Sequence, residues 1–163
     1  QEHESIVSPI IQKFGSNGAD PEKVLRHECP KRRLHFRQVD RNEAVVALRA
    51  GRAIVFAFWL SDQQWHQFSN FFDEKPTCVL SANVFTSDSS QKKGHAVAIT
   101  GQKHGIWNIK NSWGDSFADG GSFQMKWDAL PASVTMFFDV YWFETDLTIA
   151  EKLAFLELTQ ADS

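Results

Sequence analysis

Along the chain, apolar and polar positions change their period several times, and each change marks an element. In "DRNEAVVALRAG" the apolar residues Ala44, Val45 and Leu48 recur at helical spacing. Asp40 stands as N-cap with Glu43 three residues on, the spacing of a capping box, and Gly51 supplies the stop. "RAIVFAFWL" follows; too short for most helices and rich in β-branched and aromatic residues, it predicts a buried strand. After it, "SDQQWHQFSNFFDEKPT" reads as an irregular aromatic stretch that places His66 among aromatics, a loop packed on the sheet in preference to the lining of a substrate cleft. Four further runs, "GHAVAITG", "GIWNIKN", "GSFQMKW" and "MFFDVYWFE", are separated by Gly-, Asp- and Ser-bearing turns and predict antiparallel sheet. The tail "DLTIAEKLAFLELTQ" returns to helix, capped near Asp146 or Thr148, with Ile149, Leu153 and Leu156 expected to pack on the sheet. Ahead of all this, "SIVSPIIQKFGSNGADPEKVLRHECPKRR" is punctuated by Gly15, Gly18, Pro21 and Pro30, with a short helix starting at Asp20 as N-cap and Pro21 in the first turn.

These elements predict an α+β fold: an antiparallel, partly closed β-barrel with flanking helices. No internal repeat or low-complexity tract divides the chain. Residues 1–33 read as a loop-rich N-terminal segment, 34–128 as the barrel domain, and 129–163 as a C-terminal strand and helix packed on the same domain. The 163 residues, 42% hydrophobic and 13% aromatic, suffice for the core of one domain of ordinary size.

Charge and composition remove some classes of function. A net charge of -3 gives no broad attraction for nucleic acid or anionic membrane, and the dense basic cluster Lys31-Arg32-Arg33 reads as a solvated loop face. No apolar run approaches the length of a membrane span, no signal peptide is visible and no Asn-x-Ser/Thr acceptor occurs. Two cysteines cannot make a disulfide scaffold, although Cys29 and Cys78 would form one bridge in an oxidising compartment. Residue 1 is Gln rather than Met, which reads as a processed product, an expressed fragment or a piece of a longer precursor. His27, Cys29 and His35 form a loose set whose spacing matches no finger or ribbon, so neither zinc nor another cofactor is expected. Asp73, Glu74, Asp115 and Asp119 make no paired-carboxylate site.

One pairing carries chemistry. With a period of two, His95, Val97 and Ile99 share one strand face, and Trp107, Ile109 and Asn111 share another. A hairpin turn around Gln102 to Gly105 would pair these strands and make a contact between His95 and Asn111 sterically reasonable. The amide oxygen would accept from one ring N–H, fix the tautomer and aim the other nitrogen at a proton to be moved, with Trp113 keeping water from that bond. A single histidine at a strand start is more often structural than catalytic, and Asn-Ser-Trp-Gly is also a plausible turn.

"GHAVAITG" followed by "WNIKNSWGDSFADGGSF" resembles the C-terminal half of papain-like cysteine peptidases, where a His-Ala-Val strand supplies the catalytic His and a Lys-Asn-Ser-Trp-Gly strand end supplies the Asn. The likeness extends upstream through "NEAVVALRAGRAIVFAFWL" and downstream through "DGGSF", covering residues 34 to 127. It implies His95 as general base and acid, Asn111 as its orienter, Trp113 as the shielding indole, Gly94 as a supporting residue, and peptide or protein as substrate. It also implies an endolysosomal or secreted location.

The departures matter as much. The second Trp-Gly of the family is Phe117-Ala118 here. The family's nucleophile segment lies much further ahead of the His than the 94 residues available in this chain, and no glutamine, Gln12 and Gln38 included, has the context of the oxyanion residue. Cys29 is followed by Pro30 and the basic cluster rather than by an apolar helix, and Cys78 lies near a disulfide cysteine of the family. Three readings follow: the His/Asn half of a peptidase, inactive alone, whose Cys half lies on a separate chain; a catalytically dead interaction module; or a small thiol hydrolase or acyltransferase using Cys29 as nucleophile.

Overall fold

The computed structural model describes residues 12–13 and 19–161. Seven strands form one sheet: β1 (His35–Val39), β2 (Ile54–Ser61), β3 (Val79–Leu80), β4 (Lys92–Lys103), β5 (Ile106–Lys110), β6 (Ser122–Lys126) and β7 (Thr135–Tyr141). Their order is β1-β7-β2-β4-β5-β6-β3, antiparallel except for β3 beside β6. The pairing is that of an open sheet; closure into a partial barrel would need pairing between β1 and β3, which the described residues do not show. β7, from the predicted C-terminal segment, sits between β1 and β2 rather than outside them.

Alternation divides the sheet into two faces. On one, Ile54, Phe56, Phe58 and Leu60 of β2 meet Val97 and Ile99 of β4, Trp107 and Ile109 of β5, and Phe137 of β7 in the main core. Helices α2 (Arg41–Arg49) and α3 (Asp62–Glu74) close over it with Ala44, Ala47, Leu48, Phe68 and Phe72. Helix α1 (Pro21–Glu28) lies against the other face, with Arg26 over the ring of Phe36. Fully burying each large core side chain contributes roughly 1.5–3 kcal/mol.

Local signals explain most boundaries. Asp20 caps α1 through the Glu22 N–H with Pro21 in the first turn. Asp40 and Glu43 form the reciprocal capping box of α2, and Gly51, at φ 81°, ends it in the left-handed region where a Cβ would be strained. Between β4 and β5, His104 and Gly105 both have positive φ, at 52° and 76°, the two-residue loop that suits the twist of a hairpin. Thr100 is an extra residue on β4, a bulge between the Ile99–Ile109 and Gly101–Asn108 pairs.

Two expectations need correction. The aromatic stretch after β2 is not a loop but α3, capped by Ser61 and Gln64 in a second reciprocal box, with Trp65, Phe68 and Phe72 turned to the core and His66 exposed. The C-terminal helix α4 (Ile149–Ala161) starts at a Thr148–Glu151 box as expected of its cap, but its predicted apolar side does not pack on the sheet. Ile149 and Leu153 are 80% and 57% exposed. The reason lies in Glu151, whose carboxylate binds the Arg33 guanidinium at 2.9 and 3.0 Å. Ile149 and Leu153 stand two positions either side of it, about 200° around the helix, so they face away once Glu151 faces the body.

Candidate functional site

β4 is much longer than β5, so its first residues overhang and pair only with β2. His95 lies on that overhang, opposite Phe58. Just past the end of β5 the chain turns, and the backbone N–H of Asn111 donates to Gly121 O at 2.9 Å. That bond sets the amide side chain in the space beside His95.

His95 Nε2 meets Asn111 Oδ1 at 2.8 Å, and the same oxygen accepts the Ser112 N–H at 2.8 Å. The Ser112 N–H identifies that atom as the amide oxygen, which only accepts, so Nε2 must carry the proton and Nδ1 is the unprotonated nitrogen of the neutral ring. Asn111 is buried, and its Nδ2 has no hydrogen-bond partner among the described residues. Burial holds the His95 pKa below the ordinary imidazole value, against a smaller upward pull from Asn111. The site therefore holds a neutral, tautomerically fixed base near neutral pH.

Aromatic rings surround the imidazole. Trp113 lies over it with centroids 4.8 Å apart and planes tilted 33°, while Phe58 and Trp65 approach edge-on at 6.0 and 5.9 Å. Trp113 is itself held by Phe117, 5.0 Å away, and Phe68. Ala118, directly after Phe117, adopts φ 46°, where glycine would be unstrained. Gly121 is required nearby, because a Cβ there would fall 2.9 Å from Gly114 O.

On the other side of the strand, Gly94, His95 and Ala96 border a cleft of about 580 Å³ with Ala57, Trp59 and Met136 and with Asp20 and Pro21 at the start of α1. Gly94 is small because the Trp59 indole lies on it: an ideal Cβ would sit 2.6 Å from Nε1. Sequence reasoning missed both Trp59 and Trp65; the first needs the β2–β4 register, the second the existence of α3.

No cysteine lines that cleft. Cys29 caps the far end of α1, is buried, and belongs to a separate apolar cavity of about 610 Å³ lined by Leu25, Leu34, Val55 and Ala98. Burial pushes its thiol pKa up, and a helix C-terminus disfavours thiolate further. Cys78 is exposed before β3, and the two thiols are unbridged. His27 and His35 are drawn apart, the first to Glu28 at 2.7 Å and the second to Asp146 at 2.9 Å. Among the described residues no group of three or more His, Cys, Asp or Glu is placed to hold a metal ion, and no helix is long and apolar enough to cross a membrane.

No family model and no curated protein sequence matches the chain. Solved structures with a partial likeness include xylellain, a cysteine protease from Xylella fastidiosa, at 17% identity and TM-score 0.47, over 68% of this chain and 40% of that one. A structure from a comparison of the mite allergens Blo t 1 and Der p 1 is 17% identical with TM-score 0.45, over 65% and 34% of the two chains. Digestive procathepsin L 3 of the Tenebrio molitor larval midgut is 17% identical with TM-score 0.44, over 64% and 34%. The chain thus spans less than half the length of each of these three structures.

Proposed function

We propose that the chain is the His/Asn portion of a papain-like cysteine peptidase, equipped to move a proton but dependent on a thiol supplied from outside the described residues. The observation that carries this reading is the half-buried 2.8 Å bond from His95 to Asn111 under the Trp113 indole, in the segment whose sequence resembles that family. In the reaction, His95 Nδ1 takes the proton of the supplied thiol, and the thiolate attacks the carbonyl carbon of a peptide bond. The imidazolium returns that proton to the leaving amine, and water, deprotonated by the same nitrogen, cleaves the thioester and restores the thiol. Asn111 holds the ring in the one tautomer this cycle needs. Finer parts of the reading, the partly closed barrel and the Cys-bearing half on another chain, belong to the same proposal.

The placement of Cys29 argues against a self-contained thiol enzyme, because it lines a different cavity and burial raises its thiol pKa. Epoxide and iodoacetamide probes near neutral pH, with mass spectrometry to locate the adduct, test this directly. The chain alone should show slow labelling of Cys29 that is unchanged in His95→Ala, and no turnover of a fluorogenic peptide. Fast, His95-dependent labelling of Cys29 would defeat the reading. Co-expressed with a Cys-bearing helical half, the chain should instead support epoxide labelling of the partner's thiol, falling at least about a hundredfold in His95→Ala. No such dependence would reduce the chain to an interaction module.

A further inference from the structure

Helix α3 does more than cover the core at this point. The indole N–H of Trp65 donates to Lys93 O at 3.1 Å, two residues before His95 on the same strand. The same ring meets His95 edge-on at 5.9 Å, Trp113 at 6.0 Å and Phe58 at 5.5 Å. One side chain thus touches the backbone that carries the imidazole, the imidazole itself, and the indole that lies over it. We propose that Trp65 is a positioning residue for His95, walling one side of the ring and clamping its strand, so that water is kept from the bond between the ring and the amide while the other ring nitrogen stays open to a reactant.

The physical argument is one of geometry and exclusion. Asn111 fixes one ring nitrogen, which leaves rotation and solvation of the imidazole to be limited by what surrounds it. Trp113 is 42% exposed and covers only one face, so it cannot hold a dry site unless something backs it. Trp65 and Phe68, side by side on α3, are that backing. Among the described residues no charged group adds to the causes that set the His95 ionisation. Lys93 on the same strand points its ammonium to Asp62 at 2.8 Å, and Asp20 caps α1 on the cleft side. The proton affinity of His95 is therefore governed first by burial and then by Asn111, and Trp65 is one of the rings that touch the imidazole.

The inference deepens the proposed function and rests on it for its catalytic meaning, but it is measurable in this chain without any thiol or substrate. The experiment is an NMR titration of the His95 ring, with its tautomer read from the ring nitrogen shifts, in wild type, Trp65→Leu, Trp65→Phe and the exposed-position control His66→Ala. Leucine keeps apolar volume but removes both ring and N–H; phenylalanine keeps a ring. Trp65→Leu should move the His95 titration up toward the ordinary value of about 6.5 and mix the tautomers. Trp65→Phe should stay closer to wild type, and His66→Ala should match it. A folded Trp65→Leu with wild-type titration and tautomer overturns the inference, as does a Trp65→Phe shifted as far as the leucine variant. Should Trp65→Leu not fold, hydrogen exchange of the Trp65 indole N–H in the wild type decides: protection supports the clamp, and exchange at the rate of free indole overturns it. Failure of the peptidase reading would leave these titrations unaltered, so the two can fail separately.

Discussion

At the scale of single residues, the site is governed by what burial does to ionisation. His95 is held below the ordinary imidazole value, so the folded chain binds its proton less readily than the unfolded chain does. The stability linked to this group is complete above the unfolded value of about 6.5 and is lost as pH falls through the folded value. Chemical denaturation across that window should therefore show wild type losing more stability than His95→Gln, the other histidines contributing equally to both. Glu28 behaves alike at lower pH: bonds from Arg32, then Lys31, hold its carboxyl at about 2, so its contribution disappears only below the ordinary carboxylate range. The two residues separate two windows in one titration. His95 and Asn111 were legible from a period of two and a short motif, since both depend on neighbours close in sequence. Trp59 over Gly94 was not, because its meaning depends on a register between strands 35 residues apart that no local pattern specifies.

Elements show where local pattern suffices and where distant contacts decide. The hairpin of β4 and β5 and the helix α2 follow from turn and cap residues that the sequence displays openly. Helix α3 carries the same information, Ser61 three residues before Gln64 and aromatics at Trp65, Phe68 and Phe72, but aromatic side chains have only middling helix propensity and so mask the period. Its cap can be tested on its own terms. Ser61→Ala should cost about 1 kcal/mol, read as a lower unfolding midpoint, and should loosen the Trp65 contact with it. The rotation of α4 was beyond reach, since it is set by Arg33 pairing with Glu151 from the other end of the chain. A heptad-like stripe says which residues share a side, never which way that side will point.

For the whole molecule, the sheet ties the two ends of the described chain together. β1 pairs with β7 alone, and β7 also forms one long edge of β2, so the last strand in sequence is a middle strand in space. Asp139 on β7 reinforces this, buried and bound by Arg52 at 3.0 and 3.1 Å from the end of α2. A chain ended before Thr135 should lose β1 as well as β7 and expose the edge of β2, seen as loss of cooperative unfolding and as aggregation. A fold class of mixed helices and largely antiparallel strands was legible in advance because alternation reports strands well; the strand order was not, because the partner of β1 lies about a hundred residues away.

That strand order also has a consequence in time. A polypeptide emerges from the ribosome N-terminus first, and here β2, β4, β5 and β6 can pair as they appear, while β1, already outside, waits for a partner about a hundred residues further along the chain. Contacts of such long sequence separation are slow to close. During that interval the exposed edges of β1 and β2 are the ones a chaperone, or another nascent copy, would meet first.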